Sequence, residues 1–244
     1  MQQEVLFEDL GLKGYKEIWD YQEGLLKKNT DIKSMFRFSE PVANPDAVLP
    51  TTHHLLFVEH EPVYTLGKNG KGDHVLIDEA ERIKKGIEYF HINRGGDITF
   101  HGPQQLVGYP ILDLEKFKTD LGWYLRNLEE VIILTMAEYG LKGERSPGET
   151  GVWLSPDNKG LERKICAMGI KCSRWVTMHG FAFNVNTDLA YFDHIVPCGI
   201  QNKHVTSLKK ELGPDIPMDE VKYKVKKNFE KVFNCRLTIG RSLL

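Results

Sequence analysis

Residues 94–114 read RGGDITFHGPQQLVGYPILDL, and this stretch joins a polar, glycine-containing half to an apolar half. Residues 106–114 in the second half are largely apolar, which is typical of a buried strand. Gly95 and Gly96 allow backbone angles that other residues avoid, and they allow a ligand to approach the main chain closely. The stretch therefore indicates that reactive or binding groups lie directly beside the core.

Alternation within the same stretch predicts which side chains share a face. In a strand, Ile98 and Phe100 point to one side of the sheet while Thr99 and His101 point to the other. With Arg94 nearby, this arrangement predicts a pocket wall. A glycine turn that leads into a core strand, with an exposed arginine, fits the local pattern equally well.

The composition is that of an ordinary globular protein. The 244 residues are 41% hydrophobic and 27% charged, and we expect one domain that spans residues 1–244. A formal net charge of -2 argues against a protein that binds nucleic acid by bulk electrostatics. No internal repeat or low-complexity segment is apparent.

The N-terminal sequence MQQEVLFEDLGLKG has acidic residues where a secretory signal needs a basic start and an unbroken apolar run. No later segment is apolar for long enough to cross a bilayer, so we expect no membrane association. The four cysteines are irregularly spaced, which favours reduced thiols over a disulfide framework. These features together predict a cytoplasmic protein.

Periodicity predicts helices and strands interspersed along the chain. The predicted helices are 13–28, a short one at 78–85, one that begins at an Asp120 cap and ends at Gly140, and 218–233. The predicted strands are 53–65, interrupted at Pro62, then 89–93, 106–114, 151–154, 164–172 and 176–186. Such mixing indicates an α/β or α+β fold. The basic face of the last helix is either solvated or a docking surface for an acidic partner.

One cysteine is placed where it could act as a nucleophile. Cys198 lies in Val-Pro-Cys-Gly, where the proline stiffens the approach and the glycine leaves the thiol accessible. Cys166 and Cys172 share a predicted strand at a separation of roughly 20 Å, too far for one metal ion to bridge. We therefore expect no metal site, and we interpret these two and Cys235 as small core residues.

A nucleophilic thiol needs activation, because an unperturbed thiol with a pKa of about 8.5 is mostly protonated at neutral pH. Lys164 is a candidate because it begins an otherwise apolar strand. A lysine that extends from a strand end into water fits the same pattern. The spacing also leaves a histidine partner open, from His101, His179, His194 or His204.

Several motifs together resemble those of the lipoyl(octanoyl) transferases, which are relatives of the lipoate and biotin protein ligases. The matching segments, in the family's order, are EHEPVYTLG at 59–67, RGGDITFHGP at 94–103, RKICAMGIK at 163–171, HGFAFNVNTDL at 179–189 and PCG at 197–199. The sequence departs from the family at Gln104, where a glycine usually precedes the glutamine. This departure affects the expected geometry of the turn.

The resemblance implies a fold and a set of site residues. The fold is a single domain like the biotin/lipoate ligase catalytic domain, with a mixed β-sheet flanked by helices. Cys198 takes the role of the cysteine that carries the acyl group, and Lys164 that of its base. The implied acyl pocket consists of Arg94, Gly95, Gly96, Asp97, Ile98, Thr99, Phe100, His101, Ala167, Met168, Gly169, Gly180, Phe181 and Ala182.

The implied reaction is a ping-pong transfer that needs no cofactor, metal or ATP. The donor is octanoyl-acyl carrier protein. The acceptors are lysines in the lipoyl domains of 2-oxoacid dehydrogenase E2 subunits and in the glycine cleavage H protein. We further expect the backbone near Gly95 and Gly96, together with His101, to stabilise the oxyanion. Met168 and Phe181 are expected to contact the acyl tail.

Three other functions remain open at this point. An ATP-dependent lipoate or biotin ligase shares the fold, although the sequence has no evident adenylation or Walker-type loop. An octanoyl or lipoyl amidotransferase shares the chemistry and differs in its donor. A binding module without catalysis would present a carrier or lipoyl domain through the basic C-terminal helix.

Overall fold

The protein is described here by a computed structural model covering residues 2–38, 49–70, 74–196 and 204–240. The strands are β1 (Gln3–Lys13), β2 (His53–His60), β3 (Val63–Leu66), β4 (Glu88–His91), β5 (Ile98–His101), β6 (Gln105–Ile111), β7 (Val152–Leu154), β8 (Arg163–Ser173), β9 (Val176–Asn184), β10 (His204–Val205) and β11 (Cys235–Ile239). The helices are α1 (Tyr15–Phe38), α2 (Glu79–Lys84), α3 (Leu121–Ala137), α4 (Leu208–Leu212) and α5 (Met218–Phe233).

The strands form a large mixed sheet and a small one. The large sheet has the order β10-β8-β9-β6-β2-β1-β11, and β7 pairs with β8. Neighbours within β8-β9-β6-β2 are antiparallel, whereas β1 runs parallel to both β2 and β11. The small sheet has the order β4-β3-β5. This mixed α/β architecture, with helices flanking the sheet, confirms the fold class expected from the sequence.

The large sheet is covered on both faces, so its central strands are buried throughout. On β6, Leu106 points into a cluster with Tyr124 of α3 and Phe229 of α5. Its neighbour Val107 points to the opposite face, where Ile18 of α1 packs. All of β6 is buried, which confirms the strand predicted from the apolar half of residues 94–114.

Residues at the ends of α3 and in the turn of the β8–β9 hairpin determine where these elements begin and end. The Asp120 side chain accepts a hydrogen bond from the Trp123 amide at 2.9 Å, and Gly140 follows the helix with a φ of 74°, which confirms both predicted ends. The hairpin turns at Arg174 and Trp175, whose φ angles are 50° and 65°. Positive angles at both central positions fit the right-handed twist of a two-residue hairpin.

Two features of the N-terminal region differ from the sequence prediction. Residues 3–13 form β1, a strand that the pattern did not indicate, because its pairing partners β2 and β11 lie far along the chain. The first helix begins near the predicted position but continues to residue 38 instead of 28. Its apolar face crosses β6 and β9, and this packing sustains the helix beyond the predicted end.

Candidate active site

A cavity lies where the small sheet meets β6, β8 and β9 of the large sheet. Its empty volume is about 780 Å³, part of which is open to solvent. Most of the residues expected in the acyl pocket line it: Arg94, Gly96, Asp97, Ile98, Thr99, His101, Ala167, Met168, Gly169, Gly180, Phe181 and Ala182. Lys164 lines the same cavity. Three segments that are distant in sequence therefore meet around one space.

Two of the expected pocket residues lie elsewhere. The Phe100 ring is buried in the core beneath the small sheet, where it stacks on Tyr191 at 4.5 Å between ring centroids. Gly95 lines an adjoining groove rather than the cavity, and its amide donates to the carbonyl oxygen of Ile170 at 2.9 Å. Phe100 thus supports the wall of the site from behind, and Gly95 ties the glycine pair to β8.

Arg94 is buried and holds residues 94–97, the rim loop, which forms one edge of the cavity. Its Nη2 donates to the carbonyl oxygen of Thr65 at 2.7 Å and to the Thr65 hydroxyl at 3.0 Å. Its Nη1 donates to the carbonyl oxygen of Gly95 at 3.1 Å. These bonds satisfy several guanidinium donors inside the protein and fix the glycine pair relative to β3.

The glycines of β8 and β9 are required by close backbone approach. A Cβ atom on Gly169 would lie 2.7 Å from the carbonyl oxygen of Gly95, and one on Gly180 would lie 2.3 Å from that of Gly108. Gly169 and Gly180 pair directly across the β8–β9 ladder. These positions therefore leave room for the rim loop on one side and for β6 on the other.

Two histidines that line the cavity, His101 and His179, and the adjacent His60 are buried and held in the neutral form. Burial lowers the pKa of His60 to about 4 and that of His179 to about 3. Burial also places the pKa of His101 well below its usual value, and the neighbouring His60 lowers it further. All three rings are therefore uncharged near neutral pH, so they act as hydrogen-bonding groups there.

His179 has an unusual backbone for a strand residue, with a φ of 60°. Its amide donates to Oε1 of Gln22 on α1 at 3.0 Å, and its Nε2 lies 3.4 Å from Oδ1 of Asn93. These contacts hold a conformation that non-glycine residues rarely adopt. The ring is directed into the cavity wall between α1 and the rim loop.

Lys164 lies at the junction of the cavity and the adjoining groove. It lines both spaces, and its Nζ is 4.4 Å from the centroid of the Trp153 ring on β7. Its carbonyl oxygen accepts a hydrogen bond from the Thr206 amide at 2.9 Å, which attaches β10 to β8. The half-buried amine is therefore positioned by β7 on one side and its backbone by β10 on the other.

The expected nucleophile, Cys198, lies outside the described residues. Burial raises the pKa of the Cys166 and Cys172 thiols. It also raises the pKa of the Cys235 thiol, to about 12. These three thiols are consequently protonated at neutral pH, and a protonated thiol is a weak nucleophile.

The departure at Gln104 produces a specific backbone feature. Its φ is 63°, in the left-handed region that favours glycine. Its amide donates to Oε2 of Glu59 at 2.8 Å, and its carbonyl oxygen accepts from the Asn186 amide at 3.0 Å. The turn therefore keeps a glycine-like conformation despite the side chain.

Several cavity residues were missed from the sequence. Gln105, Asn184, Tyr15 and Tyr109 line the cavity together with the expected residues. Gln105 and Asn184 each lie within an apolar strand segment. A polar side chain at such a buried position requires a hydrogen-bond partner. Its presence in an apolar strand is therefore the sequence signal that could have identified these two residues.

The sequence is similar to those of known proteins over most of its length. Residues 15–230 match the model of the lipoyl protein ligase A/B catalytic domain. The chain is 55% identical to an octanoyltransferase of Christiangramia forsetii over 97% of this chain and 99% of that protein. The chain belongs to the octanoyltransferase family. It is therefore an acyltransferase.

Further relatives agree with this assignment. An octanoyltransferase of Flavobacterium johnsoniae is 53% identical over 97% of this chain and all of that protein (100%). Among solved structures, a bipartite lipoate protein ligase from Thermoplasma acidophilum superposes with a TM-score of 0.70 at 16% identity, covering 98% of this chain and 87% of that one. This similarity shows a shared fold.

Within the part of the chain that the structure describes, none of the helices combines the length and the apolar character that spanning a membrane requires. Across residues 2–38, 49–70, 74–196 and 204–240, no group of three or more His, Cys, Asp or Glu side chains is arranged to hold a metal ion.

Proposed function

We propose that the chain transfers an octanoyl group from octanoyl-acyl carrier protein to a lysine of a lipoyl domain, through a thioester on Cys198. The acceptors are lipoyl domains of 2-oxoacid dehydrogenase E2 subunits and the glycine cleavage H protein, and the reaction takes place in the cytoplasm. The observation that carries the proposal is the cavity that Lys164 lines together with Met168 and Phe181. The octanoyltransferase relatives, at up to 55% identity, support it independently.

In the first half-reaction, Cys198 gives its proton to the amine of Lys164, which acts as the base. The resulting thiolate attacks the carbonyl carbon of the donor thioester, a new carbon–sulfur bond forms, and the bond to the carrier's sulfur breaks. The departing carrier thiolate takes the proton back from Lys164. One thioester replaces another, so the free energy changes little in this half-reaction and no ATP is consumed.

In the second half-reaction, the amine of the acceptor lysine attacks the thioester on Cys198. The nitrogen loses one proton to Lys164, the carbon–sulfur bond breaks, and the Cys198 thiolate receives that proton. The product is an amide, which is more stable than the thioester it replaces. Lys164 returns to its starting form after each half-reaction.

The apolar part of the cavity provides the binding energy for the acyl chain. Met168, Phe181 and Ala182 offer hydrocarbon surface, and each methylene removed from water contributes roughly 0.8 kcal/mol. Glycine at positions 169 and 180 lets Gly95 and Gly108 approach β8 and β9 closely. The depth of the cavity then sets the preferred chain length.

The test is capture of the acyl group on the intact protein. The protein is incubated with octanoyl-acyl carrier protein without nucleotide, and its mass is measured; a gain of one octanoyl group is expected. Cys198→Ala should abolish the adduct, whereas Cys172→Ala should retain it. An adduct that persists in Cys198→Ala excludes that residue as the nucleophile. Transfer that requires free octanoate and ATP indicates a ligase, and transfer from an octanoylated or lipoylated domain indicates an amidotransferase.

A further inference from the structure

A chain of hydrogen bonds extends along the cavity wall from the His101 ring to β10. His101 Nδ1 lies 2.8 Å from Oε1 of Gln105. Gln105 Nε2 donates to the carbonyl oxygen of Phe100 at 3.1 Å and to Oδ1 of Asn184 at 2.9 Å. Asn184 Nδ2 in turn donates to the carbonyl oxygen of Thr206 at 3.0 Å. We call this set of side chains, His101, Gln105 and Asn184, the relay.

The direction of every bond in the relay is fixed by its ends. The carbonyl oxygens of Phe100 and Thr206 can only accept, so the amide nitrogens of Gln105 and Asn184 must face them. Oε1 of Gln105 therefore faces His101 and can only accept as well. It follows that Nδ1 of His101 carries the hydrogen, and the position of that hydrogen is determined by the network alone.

The second ring nitrogen of His101, Nε2, carries no hydrogen. Since Nδ1 carries the single hydrogen of a neutral imidazole, Nε2 has a lone pair and can only accept a hydrogen bond. None of the described residues makes a hydrogen bond to Nε2, although His101 lines the cavity. The cavity wall thus presents a hydrogen-bond acceptor that can pair with a donor inside the cavity.

We propose that Gln105 is a positioning residue that holds His101 in the Nδ1–H tautomer, so that Nε2 accepts a hydrogen bond from the amine of the acceptor lysine. This inference rests on the proposed function. It also replaces the oxyanion-stabilising role expected for His101 from the sequence, because an imidazole in this tautomer cannot donate from Nε2.

The second half-reaction supplies such a donor. A neutral lysine amine carries two N–H groups, of which one proton leaves to Lys164 and the other remains in the product amide. His101 accepts a hydrogen bond from the retained N–H and takes no proton. Such a bond turns the nitrogen lone pair towards the thioester carbon, which is a positioning effect. The acyl chain itself has no N–H or O–H to offer.

The relay also fixes His101 relative to Lys164. It ends at Thr206, whose carbonyl oxygen accepts from Asn184 and whose amide donates to the carbonyl oxygen of Lys164 at 2.9 Å. The neutral state agrees with the geometry, because burial and the neighbouring His60 lower the pKa of His101. Stacking of Tyr15 on the ring, at 5.9 Å and 8° between planes, holds its orientation.

The first experiment determines the tautomer by nitrogen-15 NMR of the histidine rings in the whole protein, with His101→Gln used to assign the signal. The expected result is a protonated Nδ1 and an unprotonated Nε2 between pH 6 and pH 8. Gln105→Glu places a carboxylate against Nδ1, so the ring should become protonated at a higher pH than in the wild type. Gln22→Glu, at a buried glutamine outside the relay, should leave the His101 signal in place. A hydrogen on Nε2 in the wild type overturns the proposal.

The second experiment measures transfer from the isolated octanoyl-enzyme to a lipoyl-domain lysine. Gln105→Leu should slow this step by on the order of tenfold, as expected for one lost hydrogen-bond alignment. Gln105→Glu should slow it increasingly as the pH falls, since an imidazolium cannot accept from the amine. Transfer with the wild-type rate and pH profile in both variants overturns the proposal. If the wild type forms no octanoyl-enzyme, the proposed function fails instead, and the NMR result still tests the tautomer.

Discussion

The amine of Lys164 lies 4.4 Å from the centre of the Trp153 ring, and both residues are held on the paired strands β7 and β8. An indole face attracts a cation, so this contact limits where the amine can move when it carries a proton. In the proposed mechanism the amine receives a proton in each half-reaction. The ring therefore keeps the protonated amine at the junction of the cavity and the groove.

Replacement of Lys164 by arginine keeps the positive charge of the side chain but removes its ability to accept a proton. The guanidinium of Lys164→Arg can still lie over Trp153, but it does not release its proton in a protein. We expect the rate of acyl capture to fall by on the order of 10²–10⁴-fold, which is typical of a lost general base. Rapid-quench measurement of the octanoyl adduct checks this. Lys231→Arg, on the exposed face of α5, is the control, and capture at the wild-type rate in Lys164→Arg rules out the base role.

Substitutions at Gln104 should report the strain of the turn before β6. Gln104→Gly and Gln104→Ala both remove the side chain and its bond to Asn186, so they differ in the Cβ atom alone. At a φ of 63° we expect the glycine variant to be more stable than the alanine variant by about 1 kcal/mol. Urea denaturation measures the difference. Equal midpoints, or a more stable alanine variant, contradict this account.

Buried neutral histidines should make the protein sensitive to acid. His60 donates from Nδ1 to the carbonyl oxygen of Lys13, and its Nε2 accepts from the Tyr109 hydroxyl. Its pKa is about 4 in the folded protein, against about 6.5 when unfolded. The unfolded chain therefore binds the proton first as the pH falls, and the unfolding free energy decreases between about pH 6.5 and pH 4 by up to about 3 kcal/mol from this residue.

The variant His60→Gln tests that contribution, because glutamine can also donate and accept. Its unfolding free energy should fall less steeply than that of the wild type over the same pH range, as measured by chemical denaturation at several pH values. His91→Gln, at an exposed position of β4, provides the comparison. A slope in His60→Gln that matches the wild type shows that this ring does not couple folding to pH.

The elements that were predictable from sequence have strong local signals. The α3 helix carries its own cap at Asp120, and β6 is largely apolar from Leu106 onwards. Strand alternation also placed Phe100 opposite Thr99 and His101, and the structure directs Phe100 into the core. The pocket assignment itself came from the resemblance of motifs, since spacing alone left a plain core strand equally acceptable.

The features that could not be predicted from the sequence depend on contacts between segments that are far apart along the chain. No local pattern marks β1, because its strand conformation comes from pairing with β2 and β11. The relay behind His101 depends on which oxygen faces which nitrogen, and this is decided by carbonyl groups of β5 and β10. Sequence shows that Gln105 is polar within a buried strand, but only packing shows what it orients.

The pairing of β1 with β11 has a consequence for how the protein is made. Gln2 reaches the carbonyl oxygen of Cys235 across a separation of 233 residues, at the edge of the large sheet. Until the ribosome has released that late segment, one side of β1 exposes unsatisfied main-chain groups of the kind through which nascent chains associate. Synthesis of the final strand therefore both completes the sheet and ends this period of vulnerability.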